Sequence, residues 1–199
     1  MCRNELQSLI MQGVVIQVPT EVIDGKTLYE HPKGYFINVY GQQSMHCYKP
    51  GRASLKGRPA YPKMRHYGNR DCHYLTACTF YHIPDRSKGE VVDHINGDVL
   101  NYSRDNIRVV HQSINNRDGG FLRKLRNKGI DPTMYSTSFL LRFFDRMAKF
   151  KSSHSWRPYN RLTREDLLAM LVSPEYTVGE PLDPAAEPRK YYDPFIERD

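Results

Sequence analysis

The chain has 199 residues, of which 39% are hydrophobic and 26% are charged, and its formal net charge at pH 7 is +7. This length accommodates one ordinary domain or two small ones, and the mean hydropathy of -0.66 predicts a globular protein in water. No apolar run approaches the roughly 18 to 20 residues that a membrane-spanning helix requires, so the composition excludes a helical membrane protein.

The positive charge is concentrated in the middle of the sequence. Residues 1–48 carry 3 basic and 4 acidic groups, residues 49–161 carry 22 and 9, and residues 162–199 carry 4 and 9. This distribution favours a polyanionic partner, because each phosphate neutralised by Lys or Arg releases counterions. The other interpretation is a basic surface without a specific partner.

The N-terminal residues and the cysteines give expectations for the cellular location and for bound zinc. The first residues contain no secretory apolar region, so we expect a cytoplasmic protein. Cys2, Cys47, Cys72 and Cys78 form no C-x-x-C pair and no cluster with histidines. We therefore expect reduced thiols and no structural zinc.

Residues 1–70 are interpreted as a β-rich portion that ends in a basic loop. Val14–Val18 is a candidate strand ended by Pro19, and the glycine-bounded run Gly34–Gly41 is a second. We expect this sheet to pack on the rest of the protein rather than to lean on DNA. The loop at 49–70 mixes basic, aromatic and glycine residues, a composition typical of nucleic-acid contacts. A solvated basic surface is the alternative.

A short buried helix is predicted within residues 72–83, before Pro84, from its apolar positions. The next stretch, residues 90–117, concentrates the polar residues that suggest chemistry. Val91 and Val92 predict a strand that ends at the Asn96-Gly97-Asp98 turn. Residues 107–110 predict a second strand, followed by a short helix that would end at Gly119-Gly120.

The residue types in this stretch are suited to metal-assisted hydrolysis of a phosphodiester. His94 would accept a proton from water, because histidine has an unperturbed pKa of roughly 6.5, near operating pH. Asp93 and an asparagine of the following helix would supply hard oxygen ligands, which suit Mg²⁺ or Mn²⁺ and leave positions for phosphate and water. The metal would stabilise the charge on the scissile phosphate.

The sequence Asp93-His94-Ile-Asn-Gly-Asp98, with Asn106 twelve residues after His94 and Asn115 nine further on, closely resembles the HNH endonucleases. It looks most like the His-Asn-Asn type of phage and intron-borne homing endonucleases, which have a ββα-metal motif. The resemblance implies that His94 is the general base, Asp93 a metal ligand, Asn106 a brace of the loop and Asn115 the helix ligand. Asn116 remains a competitor for that last role.

The same resemblance bears on neighbouring positions. His111 stands where a small hydroxyl residue is usual, and Tyr102-Ser103 where a second polar residue and a basic one are common. A helix with a histidine near its start often precedes the motif in these relatives, which aligns His73 with that histidine. We expect His73 to support packing rather than to act in catalysis.

The C-terminal half is predicted to be helical and basic. Ser136-Thr-Ser138 begins a helix that runs to about Lys151, and Thr163–Asp166 resembles a capping box before a short helix. A solvated face is the alternative to DNA contact for the basic side chains. The predicted DNA-binding residues are Arg104, Arg108, Arg117, Arg123, Lys124, Arg126, Lys128, Arg142, Arg146 and Lys149.

The sequence thus predicts an α+β protein with four parts. These are a β-rich portion at 1–70, an HNH unit with its preceding helix at 71–120, a basic helical extension at 121–172 and an acidic, proline-rich tail at 173–199. We expect cleavage of double-stranded DNA with Mg²⁺ or Mn²⁺, giving 5′-phosphate and 3′-hydroxyl ends as the family does. No glycine-rich phosphate loop is present, so no nucleotide cofactor is expected. The alternatives are a non-catalytic DNA-binding protein on the same scaffold and an RNA-directed nuclease.

Overall fold

The computed structural model of the chain describes residues 3–44, 61–64, 67–68, 70–153 and 161–172. They form a mixed α+β fold, as predicted. The helices are α1 (Arg3–Met11), α2 (Cys72–Phe80), α3 (Gln112–Asn127), α4 (Thr137–Ser153) and α5 (Arg164–Val172). The strands are β1 (Ile16–Gln17), β2 (Leu28–Glu30), β3 (Phe36–Asn38), β4 (Gln43–Ser44), β5 (Lys63–Met64), β6 (Arg70–Asp71), β7 (Glu90–His94) and β8 (Ile107–His111).

Several predictions concern residues that the structure does not describe. Cys2, Cys47, most of the basic loop at 49–70 and the tail at 173–199 lie outside the described residues. Cys72 and Cys78 are buried thiols that are not joined in a disulfide. Among the described residues, no helix combines the length and apolar character needed to cross a membrane.

The N-terminal portion is an antiparallel sheet in the order β1-β2-β3-β4, with α1 before it. Its strands are shorter than the predicted runs, and α1 was not predicted. The helix is held by a small apolar cluster in which Leu6 packs with Val15 and Ile37. Such long-range contacts stabilise a helix whose own apolar pattern is weak.

The sheet packs on α2, as expected, through a shared hydrophobic cluster. Leu28 and Phe36 of the sheet meet Leu75 of α2 and Ile107 of β8, and all four are fully buried. This cluster fixes α2 beside the β7–β8 hairpin. The N-terminal sheet therefore supports the element that carries His73.

A carboxyl group is buried at the same contact. Glu30 of β2 is fully inaccessible and accepts a hydrogen bond from the Thr76 hydroxyl of α2. Its other oxygen, Oε2, is buried without a hydrogen-bond partner. Burial raises the pKa of Glu30 to about 8, although hydrogen bonds from Thr76 and Thr79 oppose the rise.

The two strands of residues 90–117 form a hairpin that lies between α2 and α3. β7 pairs antiparallel with β8, with Asp93 opposite Arg108 and His94 opposite Ile107. Side chains alternate between the faces of a strand. Val92 and Ile107 accordingly belong to the cluster on the α2 side.

The predicted end of the following helix is wrong. Instead of stopping at Gly119-Gly120, α3 continues to Asn127. Burial of Phe121 and Leu125 in the second core outweighs the helix-weakening effect of two glycines. The predicted boundary between residues 120 and 121 therefore falls inside one continuous helix.

The true end of α3 is a Schellman motif. Gly129 has a φ of +71°, and its amide donates to the Arg126 carbonyl at 3.0 Å. The Ile130 amide donates to the Leu125 carbonyl at 3.1 Å, and both of these side chains are buried in the second core. This is the hydrogen-bond pattern and the apolar contact of that motif.

The second core joins α3 to α4 and α5. The predicted helix is confirmed as α4, and its Leu140, Phe143 and Met147 side chains are fully buried in this core. The predicted capping box is also present. The Thr163 amide donates to an Asp166 carboxylate oxygen at 2.8 Å, and the Asp166 amide donates to the Thr163 hydroxyl at 3.1 Å.

Substitution of the glycines tests the revised path of α3. An added Cβ at Gly120 meets no atom within 4 Å, so Gly120→Ala should raise the free energy of unfolding by roughly 0.5–1 kcal/mol. Gly129→Ala forces alanine into a positive φ and should lower it by about 1 kcal/mol. Urea unfolding of both variants measures this difference. Destabilisation by Gly120→Ala would contradict a helix through residue 120.

A second prediction concerns Glu30. Between its ordinary value of 4.5 and about 8, the folded chain keeps a proton that the unfolded chain has released. The free energy of unfolding of the parent should therefore fall as pH rises through this window, by up to about 1.4 kcal/mol per unit. Glu30→Gln should be more stable at pH 7 and should lose this dependence, as measured by urea unfolding at pH 5, 6 and 7.5.

The exposed Glu21 provides a control, because Glu21→Gln should keep the pH dependence of the parent. Parallel stability curves for the parent and Glu30→Gln would show that Glu30 is not a buried, neutral acid.

Candidate active site

The loop between β7 and β8 is braced by Asn106. Its side-chain oxygen accepts from the Asn96 amide at 3.0 Å, and its side-chain nitrogen donates to the Asn101 carbonyl at 2.8 Å. Its backbone carbonyl accepts from the Ile95 amide at 2.8 Å. Asn106 is only 1% exposed, so it satisfies buried loop groups that water does not reach. The loop and the ends of both strands are thus held in one arrangement.

Asp93 and His94 leave the end of β7 on opposite faces of the hairpin. The imidazole of His94 lies on the α2 side, where its ring centroid is 5.1 Å from that of His73 and 5.8 Å from that of Tyr61. The carboxylate of Asp93 contacts Arg108, which in turn contacts Asp118 of α3. The sequence led us to expect these groups around one ion, whereas the structure separates them by face.

The imidazole of His94 is buried and neutral. It is 6% exposed, and its Nε2 atom has no hydrogen-bond partner. Burial, and to a smaller extent the neighbouring His73, lowers the pKa of His94 to about 3. Burial also lowers the pKa of His73. At neutral pH the His94 ring is therefore unprotonated, and its pKa lies well below the value near operating pH that the sequence led us to expect of a general base.

Asp93 belongs to a compact ionic network. Arg108 donates to its Oδ2 atom from Nε at 2.9 Å and from Nη2 at 2.7 Å. Arg108 Nη2 also donates to Asp118 at 2.7 Å, and Arg117 donates to the other Asp118 oxygen at 2.7 Å. Two carboxylates and two guanidinium groups balance one another in this network. Burial raises the pKa of Asp93, and Arg108 opposes that rise.

The two asparagines left open by the sequence lie in different surroundings. Asn115 is half-buried in the first turns of α3, three residues before Asp118. Residues three apart share a helix face, so Asn115 is on the side of α3 that meets Arg108 and Asp93. Asn116 is exposed and accepts a hydrogen bond from Gln112 at 2.8 Å. Asn115 is thus the asparagine that shares a helix face with Asp118, whereas Asn116 is on the exposed surface.

Several predicted DNA-binding arginines are engaged within the protein. Arg108 has only 17% of its side chain exposed and lies 5.4 Å from the centre of the Phe144 ring. Arg117 is paired with Asp118, as described above. Arg126 donates to the loop carbonyl of Asn96 at 3.3 Å, and Arg146 donates to the Met170 carbonyl of α5 at 2.6 Å. These contacts give the four residues structural roles.

The remaining predicted cations are more accessible. Lys124 is half-buried, and burial lowers its pKa. Arg142 stacks on Phe139 at 4.6 Å. The exposed members of the set are Arg104, Arg123, Lys128, Arg142 and Lys149.

Two contributors were not identified from the sequence. Asp118 is 1% exposed and joins α3 to the hairpin, and its spacing from Asn115 is the only local signal of that role. Tyr61 was placed in a DNA-contacting loop, but its ring is 4.6 Å from His73 and covers the His94 side of the hairpin. These contacts arise from packing between distant segments, so no local pattern reveals them.

Comparison with protein-family models, with curated proteins and with solved structures gives no match in any of the three. The functional interpretation therefore depends on the geometry of this chain and on the motif resemblance.

Arg108 and Arg123 form a matched pair for testing structural against surface roles. Arg108→Gln leaves the buried Asp93 and Asp118 carboxylates without their shared partner, so we expect a loss of about 3–5 kcal/mol in the free energy of unfolding. The exposed Arg123→Gln should change it by less than about 0.5 kcal/mol. Urea unfolding at neutral pH measures both. An Arg108→Gln variant as stable as Arg123→Gln would contradict the network.

Proposed function

We propose that this protein is a metal-dependent DNA endonuclease of the HNH type, with β7, β8 and the start of α3 as its ββα-metal unit. The observation that carries this proposal is the His94 ring, whose Nε2 atom has no hydrogen-bond partner. It stands at the end of a strand, beside Asp93, in a hairpin whose loop Asn106 braces. Burial lowers the pKa of the ring to about 3, so the ring acts as a base near neutral pH only when bound DNA and water bring its pKa closer to operating pH.

Asp93 and Asn115 are the residues that would hold a divalent cation. A carboxylate and an amide oxygen are hard donors that suit Mg²⁺ or Mn²⁺, and such sites usually include substrate phosphates. When bound, the ion supplies charge stabilisation at the scissile phosphate and at the departing oxygen. The donor chemistry therefore fits, and both contacts from Arg108 go to one oxygen of Asp93, Oδ2.

The charge balance of the ionic network affects how a cation can bind at this site. Asp93 and Asp118 are already compensated by Arg108 and Arg117, so a divalent cation adds charge that protein carboxylates do not offset. A DNA phosphate would supply the missing negative charge. We therefore expect the cation and the DNA to bind cooperatively.

The Asp93 and His94 side chains lie on opposite faces of the hairpin, and this arrangement is compatible with the proposed chemistry. Their Cα atoms are neighbours in the chain, about 3.8 Å apart. A phosphate at the end of the hairpin would lie beside the cation that Asp93 and Asn115 would hold on one side and beside a water held by His94 on the other. His94 would take a proton of that water as the new P–O bond forms. The bond to the 3′-oxygen breaks and that oxygen takes a proton from solvent, leaving a 5′-phosphate and a 3′-hydroxyl.

Double-stranded DNA is the proposed substrate because of the charge around this unit. Arg104 lies in the braced loop, Arg123 is exposed in the second half of α3, and Lys128 is exposed just after that helix ends. Such cations position a phosphate backbone without reading its sequence. Their removal should weaken binding and reduce its dependence on salt.

A non-catalytic DNA-binding protein is the second candidate. Two observations favour it: Asp93 is committed to Arg108, and His94 is 6% exposed beneath Tyr61. In that case the polar residues would serve only to hold the hairpin against its two helices. Cleavage requires that Tyr61 move aside when DNA binds.

Cleavage of supercoiled plasmid with Mg²⁺ or Mn²⁺ separates the two candidates. His94→Ala should lower the cleavage rate by about 10²–10⁴-fold, as expected for loss of a general base, while salt-sensitive DNA binding stays close to that of the parent. His82→Ala is the matched control, because His82 is an exposed histidine paired with Glu90. It should retain cleavage.

Cleavage and DNA binding by the parent protein distinguish the candidate functions. Binding of DNA without cleavage by either metal would support the non-catalytic candidate and overturn the proposed enzyme. Faster cleavage of RNA than of DNA would identify the RNA-directed alternative.

A further inference from the structure

Two buried nitrogen atoms without hydrogen-bond partners lie in adjacent rings. They are Nδ1 of His73 and Nε2 of His94, and His94 is more than nine-tenths buried. An unsatisfied buried polar atom in a folded protein calls for a physical explanation, of which an ion or a water is one. Packing alone does not explain the pair, because apolar side chains would fill the same space without this cost.

We propose that His73 and His94 form a binding site for a transition-metal ion with nitrogen preference, such as Zn²⁺, Cu²⁺ or Ni²⁺. Imidazole is a good ligand for these ions and a poor one for Mg²⁺. The site is distinct from the Asp93–Asn115 position, since it lies on the opposite face of the hairpin. Ion binding here does not depend on the proposed nuclease activity.

The separation of the two rings matches such a site. Zinc binds imidazole nitrogen at about 2.0–2.1 Å with tetrahedral geometry, which places the centroids of two ligating rings roughly 5 Å apart. The observed separation is 5.1 Å, with the ring planes tilted by 58°. Rings that only pack together can share this spacing, so the two unpartnered nitrogens are what distinguish an ion-binding pair.

The surroundings define the rest of the site. In the described part of the chain no three His, Cys, Asp or Glu side chains are grouped to hold a metal ion, so the ion would have His73 and His94 as its two ligands from these residues and water in its other positions. The Asp71 carboxylate raises the pKa of His73 against the effect of burial, so its negative charge favours a cation beside that ring. Lys63 has the opposite effect and is ion-paired with Asp71 at 3.4 Å.

The consequence for activity rests on the proposed function. An ion on His94 Nε2 occupies the lone pair that would accept the proton of water. Zn²⁺ should therefore inhibit cleavage supported by Mg²⁺, although both ions are divalent. The two faces of the hairpin would respond to different metals, with oxygen ligands on one face and nitrogen ligands on the other.

Binding is measured first, without DNA, by calorimetric titration of the tag-free, EDTA-treated full chain with ZnCl₂. The parent should bind with a site that His73→Asn weakens by at least about tenfold, since even outer-shell changes cost 10–100-fold in metal affinity. His82→Asn is the control and should bind as the parent does. Equal affinity in the parent and His73→Asn would overturn the proposal.

A second measurement uses only the parent protein, so its result does not depend on whether His73→Asn folds. Substoichiometric Cu²⁺ should broaden the ring-proton NMR signals of His73 and His94 in the parent before those of the other histidines. Preferential broadening of His82 or His111 would overturn the proposal.

Cleavage assays then separate this inference from the proposed function. With Mg²⁺ fixed, Zn²⁺ should inhibit the parent at concentrations at least about tenfold lower than it inhibits His73→Asn, each relative to its own zinc-free rate. Zinc binding by a protein that never cuts DNA supports the site and refutes the nuclease. Cleavage with equal zinc sensitivity in both proteins refutes the site and leaves the nuclease standing.

Discussion

The contact between Arg108 and two carboxylates is the interaction on which the arrangement of this site depends. It ties Asp93 of β7 to Asp118 of α3 across 2.7 Å contacts that are largely shielded from water. Removing either partner leaves a charge uncompensated in a poorly solvated place. The network therefore fixes which face of α3 meets the hairpin, and with it the position of Asn115. Asn106 does the same for the adjoining loop between the two strands.

Strand geometry divides the chemistry of the hairpin into two faces. Because neighbouring side chains point to opposite sides, Asp93 lies with the oxygen-rich and charged groups of α3, whereas His94 lies with His73 and Tyr61. The first face is charged and balanced, and the second is neutral and largely shielded from water. A phosphate at the end of the hairpin would meet both faces, and the nuclease proposal and the nitrogen-ligand site both involve His94.

Much of the local structure was predictable from the sequence, whereas contacts between distant segments were not. The hairpin, α2, α4 and the Thr163 cap follow from turn residues, apolar spacing and capping patterns, which act over a few residues. The end of α3 was misplaced because burial of Phe121 and Leu125 is a tertiary effect that overrides Gly119-Gly120. The motif indicated Asp93 and His94. The ion pair of Asp93 with Arg108 was not predicted, because the two residues are 15 positions apart and meet only through the pairing of β7 with β8.

The most direct test of the account is the position of Mn²⁺ in a complex with a non-cleavable DNA duplex, read from paramagnetic broadening of NMR signals. The account predicts that the side-chain amide of Asn115 and the backbone amide of Asp93 broaden first, and that much more Mn²⁺ is needed without DNA. Broadening confined to exposed acidic residues such as Asp105 and Asp145, or identical with and without DNA, would contradict it.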